Sequence, residues 1–175
     1  MPSNLLRILL LHERVDSIRM KALPSRIGVI SDTHGLLRPE ALVALRGSQL
    51  IIHGGDVGGK EILDTLGEVA PVVAVRGNTD RDEWSASLPE TAVVEAHQAL
   101  IYVLHDLQAI DLNPATAGFR VVISGHSHKA SRSEKDGVLY LNPGSAGPKR
   151  FSLPTTIASI DLNQEPWRID FIELC

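Results

Sequence analysis

The chain has 175 residues, 43% hydrophobic and 22% charged, which at roughly 150 residues per domain fits one globular domain and excludes wholesale disorder, collagen-like repeats and low complexity. With 17 Lys+Arg against 21 Asp+Glu the formal charge is -4, so the general basic attraction used by nonspecific nucleic-acid binders is missing. No apolar run approaches the ~18 residues of a membrane span, and the single cysteine, Cys175, excludes an internal disulfide and a Cys-rich metal knuckle while fitting a reducing, cytoplasmic setting.

Residues 1–25 read as an N-terminal extension to one domain spanning 26–175. The extension is either a short amphipathic helix using Leu5, Ile8, Leu9 and Val15, or a non-native start with Met20 as the natural first residue. A secretory signal would need a longer apolar core and a small-residue cleavage site. From Arg26 the pattern becomes regular. Arg26–Ser31 is a buried strand, Pro39 opens a helix through Arg46, and Gln49–His53 is a second strand running into Gly54-Gly55-Asp56. Lys60–Leu66 is a helix and Val72–Val75 a third strand, ending at Gly77-Asn78. This strand–loop–helix alternation predicts a parallel α/β sheet. Thr91–Ala96 and Ala99–His105 form a hairpin around His97-Gln98; Val121–Ser124, Val138–Asn142, Thr155–Leu162 and Trp167–Glu173 follow as strands. Few helices separate these later strands, which predicts a second, largely antiparallel region folded on the first.

The residues that carry chemistry stand just past the C-terminal ends of the apolar runs, the edge at which open α/β sheets bind ligands. In order they are Asp32 and His34, Asp56, Asn78, His105, then His126 and His128. All offer oxygen or imidazole nitrogen, which suits Mn, Fe, Zn or Ni rather than Cu(I) or an iron–sulfur cluster. Seven donors exceed the need of one tetrahedral metal and suit two metals sharing a carboxylate. In Asp32-Thr33-His34 and His126-Ser127-His128 an intervening residue lets two side chains point the same way in an extended segment. Asp-x-His alone reads as a loop or cap, and Gly-Asp and Gly-Asn alone as turns; Gly-His-Ser-His is more specific, although two nearby histidines also occur on plain surfaces. Five motifs, each after its own strand, do not read as purely structural. His53 reads as a buttress for Asp56 or as strand-end packing, and Asp80 as a brace for the Asn78 loop or a simple turn residue. Arg76, Lys60 and Arg150 are weaker candidates for phosphate contact, and Asn142-Pro143-Gly144-Ser145 is a structural turn near the site.

SDTHG (31–35), HGGD (53–56), RGNTD (76–80), GHSH (125–128) and NPGS (142–145) together resemble the calcineurin-like metallophosphoesterase superfamily, and within it the small bacterial and archaeal phosphodiesterase branch. The resemblance covers about residues 26–173. It implies a four-layer α/β/β/α sandwich of two mixed sheets flanked by helices. It implies that Asp32, His34 and His128 hold one divalent metal, that Asn78, His105 and His126 hold another, and that Asp56 bridges both. Mn is the foremost candidate, with Fe, Zn and Ni as alternatives, and Asp56, Asn78 and His126 form the catalytic core. The implied reaction is phosphodiester hydrolysis by a metal-bridging hydroxide. The pocket, with two divalent ions and the two carboxylates, is positive by about two charges. The implied substrate is a small phosphoester. No membrane partner and no strong nucleic-acid signal are expected, and family precedent implies a homodimer or homotetramer. The alternatives are a noncatalytic protein-binding scaffold of the same fold, and a phosphomonoesterase or nuclease with the same metal core. Two positions depart from the superfamily pattern. Thr79 stands where many members have a His that protonates the leaving oxygen, as is usual for this branch. Asp106 stands where Gly usually follows His105, either as an acceptor that orients a ligand histidine or as an exposed loop acid.

Overall fold

The computed structural model describes residues 23–97, 99–150 and 152–174; nearly all of the N-terminal extension lies outside the described residues. Among the described residues, ten strands and two α-helices follow one another in the order β1 (Arg26–Ile30), α1 (Pro39–Ala44), β2 (Leu50–His53), α2 (Lys60–Gly67), β3 (Val72–Ala74), β4 (Thr91–Ala96), β5 (Ala99–Leu104), β6 (Val121–Ile123), β7 (Ser131–Lys135), β8 (Val138–Asn142), β9 (Thr156–Asp161) and β10 (Arg168–Glu173). They form two five-stranded mixed sheets, ordered β10-β9-β1-β2-β3 and β4-β5-β6-β8-β7. Among the described residues no helix is long and apolar enough to cross a membrane.

Side chains alternate across each strand and so sort themselves between layers. Ile27 and Val29 of β1, Ile52 of β2, and Ile101 and Val103 of β5 point into one core between the two sheets. Ile30 and Ile51 point the other way, against Ala41 and Leu45 near α1 and Ile62 and Leu66 of α2. Tyr102, Leu104 and Val122 face outward from the second sheet onto Phe119 and Val138, with half-buried Ile110, Leu112 and Ala117 packed over them. The result is an α/β/β/α sandwich. Its last layer is thin, a 3-10 turn at Leu107–Ala109 and the loop that follows.

Two expectations for the second half are corrected. Strand β5 pairs in parallel with β6, and β6 in parallel with β8, so the second region is mixed rather than largely antiparallel. The last two strands, β9 and β10, join the first sheet, where β9 runs antiparallel to β1. The parallel pairing fixes what matters for the site. It brings the C-terminal ends of β1, β2 and β3 and those of β5 and β6 to one edge of the sandwich.

Ile101 is fully buried between the sheets, whereas Phe171 on the edge strand β10 is 40% exposed. Ile101→Ala should therefore destabilise the fold by about 2–5 kcal/mol, the usual cost of a buried isoleucine truncation, and Phe171→Ala by much less. Urea denaturation of the two variants measures this, and equal costs would contradict the layer assignment.

Candidate metal centre

The seven donors converge. Asp32 and His34 follow β1, Asp56 follows β2, Asn78 follows β3, His105 follows β5, and His126 and His128 follow β6. Five of them (Asp32, His34, Asp56, His126 and His128) hold left-handed backbone with φ between 45° and 67°, and only one other non-glycine among the described residues does so. This corrects the extended-segment reading of the two x-spaced motifs. Each turns twice through left-handed geometry, which folds both side chains back over the strand ends. Such backbone costs roughly 1–3 kcal/mol per residue and persists only where its surroundings over-determine it.

Each aspartate has one oxygen tied to the protein and one turned toward the histidines. Asp32 Oδ2 accepts hydrogen bonds from Ser31 Oγ at 2.7 Å and from the His126 amide at 3.2 Å. Asp32 Oδ1 is buried with no hydrogen-bond partner, 3.3 Å from His128 Nε2 and 4.0 Å from His34 Nε2. Asp56 Oδ1 accepts from the Thr79 amide at 2.8 Å, while its Oδ2 lies 3.8 Å from His34 Nε2 and 3.4 Å from His105 Nε2. Asp56 thus stands between a His34/His128 group and a His105 group. His105 Nδ1 must donate to the Gly54 carbonyl, 2.8 Å away, because a carbonyl can only accept. In the neutral ring that leaves Nε2 as a lone pair, facing Asn78 Oδ1 at 3.0 Å. His126 Nδ1 lies at the same distance from the same oxygen.

Acceptors aimed at one another at these distances need a proton or a cation between them. The donor set therefore fits divalent metal: Asp32, His34 and His128 form one compact group, and Asp32, Asp56 and His105 another. Burial acts to lower His105, but hydrogen bonds to Asp56 and Gly54 prevail and raise its pKa. Burial acts upward on Asp56, yet the His105 and Thr79 hydrogen bonds outweigh it and hold the carboxyl below the usual range. Asp32, more deeply buried, is pushed up by that burial, with the Ser31 hydroxyl and the His105 and His128 rings opposing.

Residues outside the seven lock the loops together. Asp80 is buried, and its carboxylate accepts from the amides of Val57 at 3.1 Å, Gly58 at 2.9 Å and Gly77 at 2.9 Å, joining the Asp56 loop to the Asn78 loop. A Cβ on Gly77 would overlap the Asp56 amide and carboxylate, and one on Gly125 would overlap Ser31 Oγ, so both loops depend on glycine there. His53 buttresses the first two loops. The Gly55 amide donates to its Nδ1 at 3.2 Å, so its Nε2 donates to Thr33 Oγ1 at 3.0 Å, and Thr33 in turn donates to the Val57 carbonyl at 2.8 Å. The Asn142–Ser145 turn is more than a nearby bend. Asn142 Nδ2 donates to the Gly125 carbonyl at 2.5 Å and Ser145 Oγ to the Asp32 carbonyl at 3.0 Å. Ser31, Thr33, Asn142 and Ser145 stand in the SDTHG and NPGS motifs, but no role in holding the donors was read for them from sequence.

Asp106 resolves as a local cap. Its carboxylate accepts from the Gln108 amide at 2.9 Å, and Gly54, not Asp106, orients His105. Lys60 and Arg76 are ion-paired at the surface with Asp64 and Glu90. Arg150 does reach the cluster, with Nη2 3.5 Å from His34 Nε2.

An edge of residues able to hold metal on an α/β/β/α sandwich is the frame of a metallophosphoesterase. The calcineurin-like phosphoesterase superfamily domain matches residues 26–165, and the chain belongs to that family. A probable metallophosphoesterase of Methanothermobacter thermautotrophicus is 35% identical over 143 residues, 75% of this chain and 83% of the relative. A phosphodiesterase of Methanocaldococcus jannaschii is 27% identical over 162 residues, 82% of this chain and 96% of the relative. Two solved structures share the fold. One is an archaeal phosphodiesterase (TM-score 0.71, 23% identity, 84% of this chain and 99% of that one). The other is Vps29 of Entamoeba histolytica in complex with zinc (TM-score 0.65, 23% identity, 85% and 98%).

Burial pushes His53 from an ordinary 6.5 down to about 4. A depressed histidine contributes stability that is complete above the unfolded pKa and is lost as pH falls toward the folded one. The loss from this ring should approach ~3 kcal/mol between pH 6.5 and 4. His53→Gln should flatten the fall in urea-unfolding free energy across that window relative to wild type; an identical slope would contradict a neutral, buried His53.

Proposed function

We propose that this chain is a metal-dependent phosphodiesterase working at a dinuclear centre. Asp32, His34 and His128 would hold one ion, Asn78, His105 and His126 the second, and Asp56 would face both. The observation that carries the reading is the set of facing acceptors. The unpartnered Asp32 Oδ1 and the His105 Nε2 atom point into the same space as His34, His128 and Asp56 Oδ2. The phosphodiesterase relative adds support for the diester class.

Divalent ions bound there would draw a phosphate onto an acidic protein and make water nucleophilic near neutral pH. The chain's own residues set the geometry. Ser31, the His126 amide and the Thr79 amide hold the outer oxygens of the two aspartates, so the inner oxygens cannot swing away. Gly54 fixes the His105 ring, and Asn78 Oδ1 sits between His105 and the exposed His126 at the open side of the cluster. Hydrolysis joins a water oxygen to phosphorus, breaks the bond from phosphorus to one alcohol oxygen, and leaves the water's proton on that alcohol or in solvent. With Thr79 beside Asn78 there is no imidazole at that position to protonate the departing oxygen, so good leaving groups should react fastest.

The test is hydrolysis of bis(p-nitrophenyl) phosphate by the Mn-loaded protein, with p-nitrophenyl phosphate alongside and a chelator as control. Chelator-sensitive cleavage that favours the diester is expected. Asp56→Asn and His126→Ala should each lower it by at least about 100-fold, beyond the 10–100-fold typical of groups that merely support ligands. Full activity in folded Asp56→Asn, or no cleavage of either ester with Mn, Fe, Zn or Ni, would overturn the reading; the latter would favour a noncatalytic scaffold.

A further inference from the structure

A cleft of about 990 Å³ opens beside the metal centre. Gly77, Asn78 and His105 line its inner end, so it is continuous with the cluster. From there it runs over the outer face of the second sheet. Val93, Tyr102, Leu104 and Phe119 form its floor, and Ala109 and Leu112 belong to the thin outer layer above. The Tyr102 and Phe119 rings, 5.1 Å apart, pack at the base of this floor and are almost wholly buried.

The charges around this cleft are of the wrong sign for phosphate. Asp82, Glu90, Asp106 and Asp111 line it against two cations, Arg76 and Arg81. Arg76 is taken up by Glu90 at 2.7 Å, and Arg81 Nε donates to the Asn78 carbonyl at 3.0 Å. The fifth carboxylate, Asp80, is already bound to three backbone amides. A second phosphate placed here would meet net negative charge, whereas the cation that reaches the cluster, Arg150, stands on the His34 side. An apolar floor with an acidic rim instead suits an uncharged ring whose hydroxyl or amino groups can donate to carboxylates.

We propose that this cleft seats the uncharged organic group of the phosphoester, aromatic or nucleoside in size, while the phosphate lies at the metal centre. The proposal rests on the phosphoesterase reading and narrows it. The preferred substrates are diesters of one phosphate with a ring-bearing alcohol. Esters carrying further phosphates along the same direction, including a continuous nucleic-acid backbone, are disfavoured.

The test compares two diesters with the same leaving group, thymidine 5′-(p-nitrophenyl phosphate) and methyl p-nitrophenyl phosphate, on the Mn-loaded protein. The nucleoside ester should have the higher kcat/KM by at least about tenfold, the scale set by one apolar group in a pocket. Ala109 and Thr116 line the cleft at exposed positions, so a bulky side chain at either fills it without disturbing the core. In Ala109→Trp and Thr116→Trp the ratio of the two kcat/KM values should fall toward one, chiefly through KM for the nucleoside ester. If the methyl ester turns over but the nucleoside ester has no advantage, or keeps it in both variants, the cleft assignment is wrong and the hydrolase reading stands. If neither ester is cleaved, the hydrolase reading fails, and calorimetric titration with thymidine 5′-monophosphate and methyl phosphate decides the cleft. Tighter nucleotide binding that Ala109→Trp removes would support it, and equal binding would overturn it.

Discussion

Two buried carboxylates with one oxygen each aimed at a ring of imidazoles set the terms for everything around them. An unpartnered buried carboxylate oxygen is costly, because water that would have solvated it is gone. Asp32 Oδ1 is such an atom, and Asp56 Oδ2 faces His34 and His105. The remainder of the fold can be understood as the means of holding this arrangement against its own tendency to relax. The core between the sheets fixes the strand ends, and the turns beyond them go through left-handed backbone at five of the seven donors. Asp80, the Thr33–His53 pair and the Asn142–Ser145 turn then tie each loop to its neighbour through hydrogen bonds. A cation in the cluster would relieve the tension that the protein alone leaves in place.

The centre is asymmetric in charge and in shape. On the His34 and His128 side Arg150 approaches, and the His34 and His128 rings stack with centroids 5.2 Å apart. On the Asn78 and His105 side the wall falls away into an apolar cleft rimmed by acids. A ligand with one anionic and one neutral end has an evident orientation across such a site. The overall charge of -4 is no obstacle, since the field that matters is local and set by what the cluster holds.

Much of this was legible in the residues. Short apolar runs such as RIGVI, LIIH and VLYLN marked β1, β2 and β8 within a residue or two, because strands buried on both faces need continuous apolar sequence. The donors were legible because each stands directly after such a run. Strand β7 was not, since Ser131–Lys135 is polar and exposed throughout and pairs only as an edge. The parallel pairing of β5, β6 and β8 was hidden for a related reason. Its crossovers are a 3-10 turn, loops and an edge strand, without the amphipathic helices that normally announce a parallel connection. Asp106 followed a third pattern: its position beside His105 suggested a role for its charge, while the structure spends it on the nearest amide. Hydrogen bonds made over one or two residues compete successfully with longer-range roles and leave no periodic trace.

The most direct test of this account is the metal content of the protein itself. Protein stripped with chelator, dialysed against Mn and freed of excess metal should retain two ions per chain by elemental analysis. The folded Asp56→Asn variant should retain fewer, because the carboxylate that faces both groups is gone. Retention of two ions in wild type would establish the centre independently of any substrate. A wild-type protein that holds no divalent metal at concentrations that saturate ordinary carboxylate–histidine sites would contradict the account, whatever esters it is later found to bind.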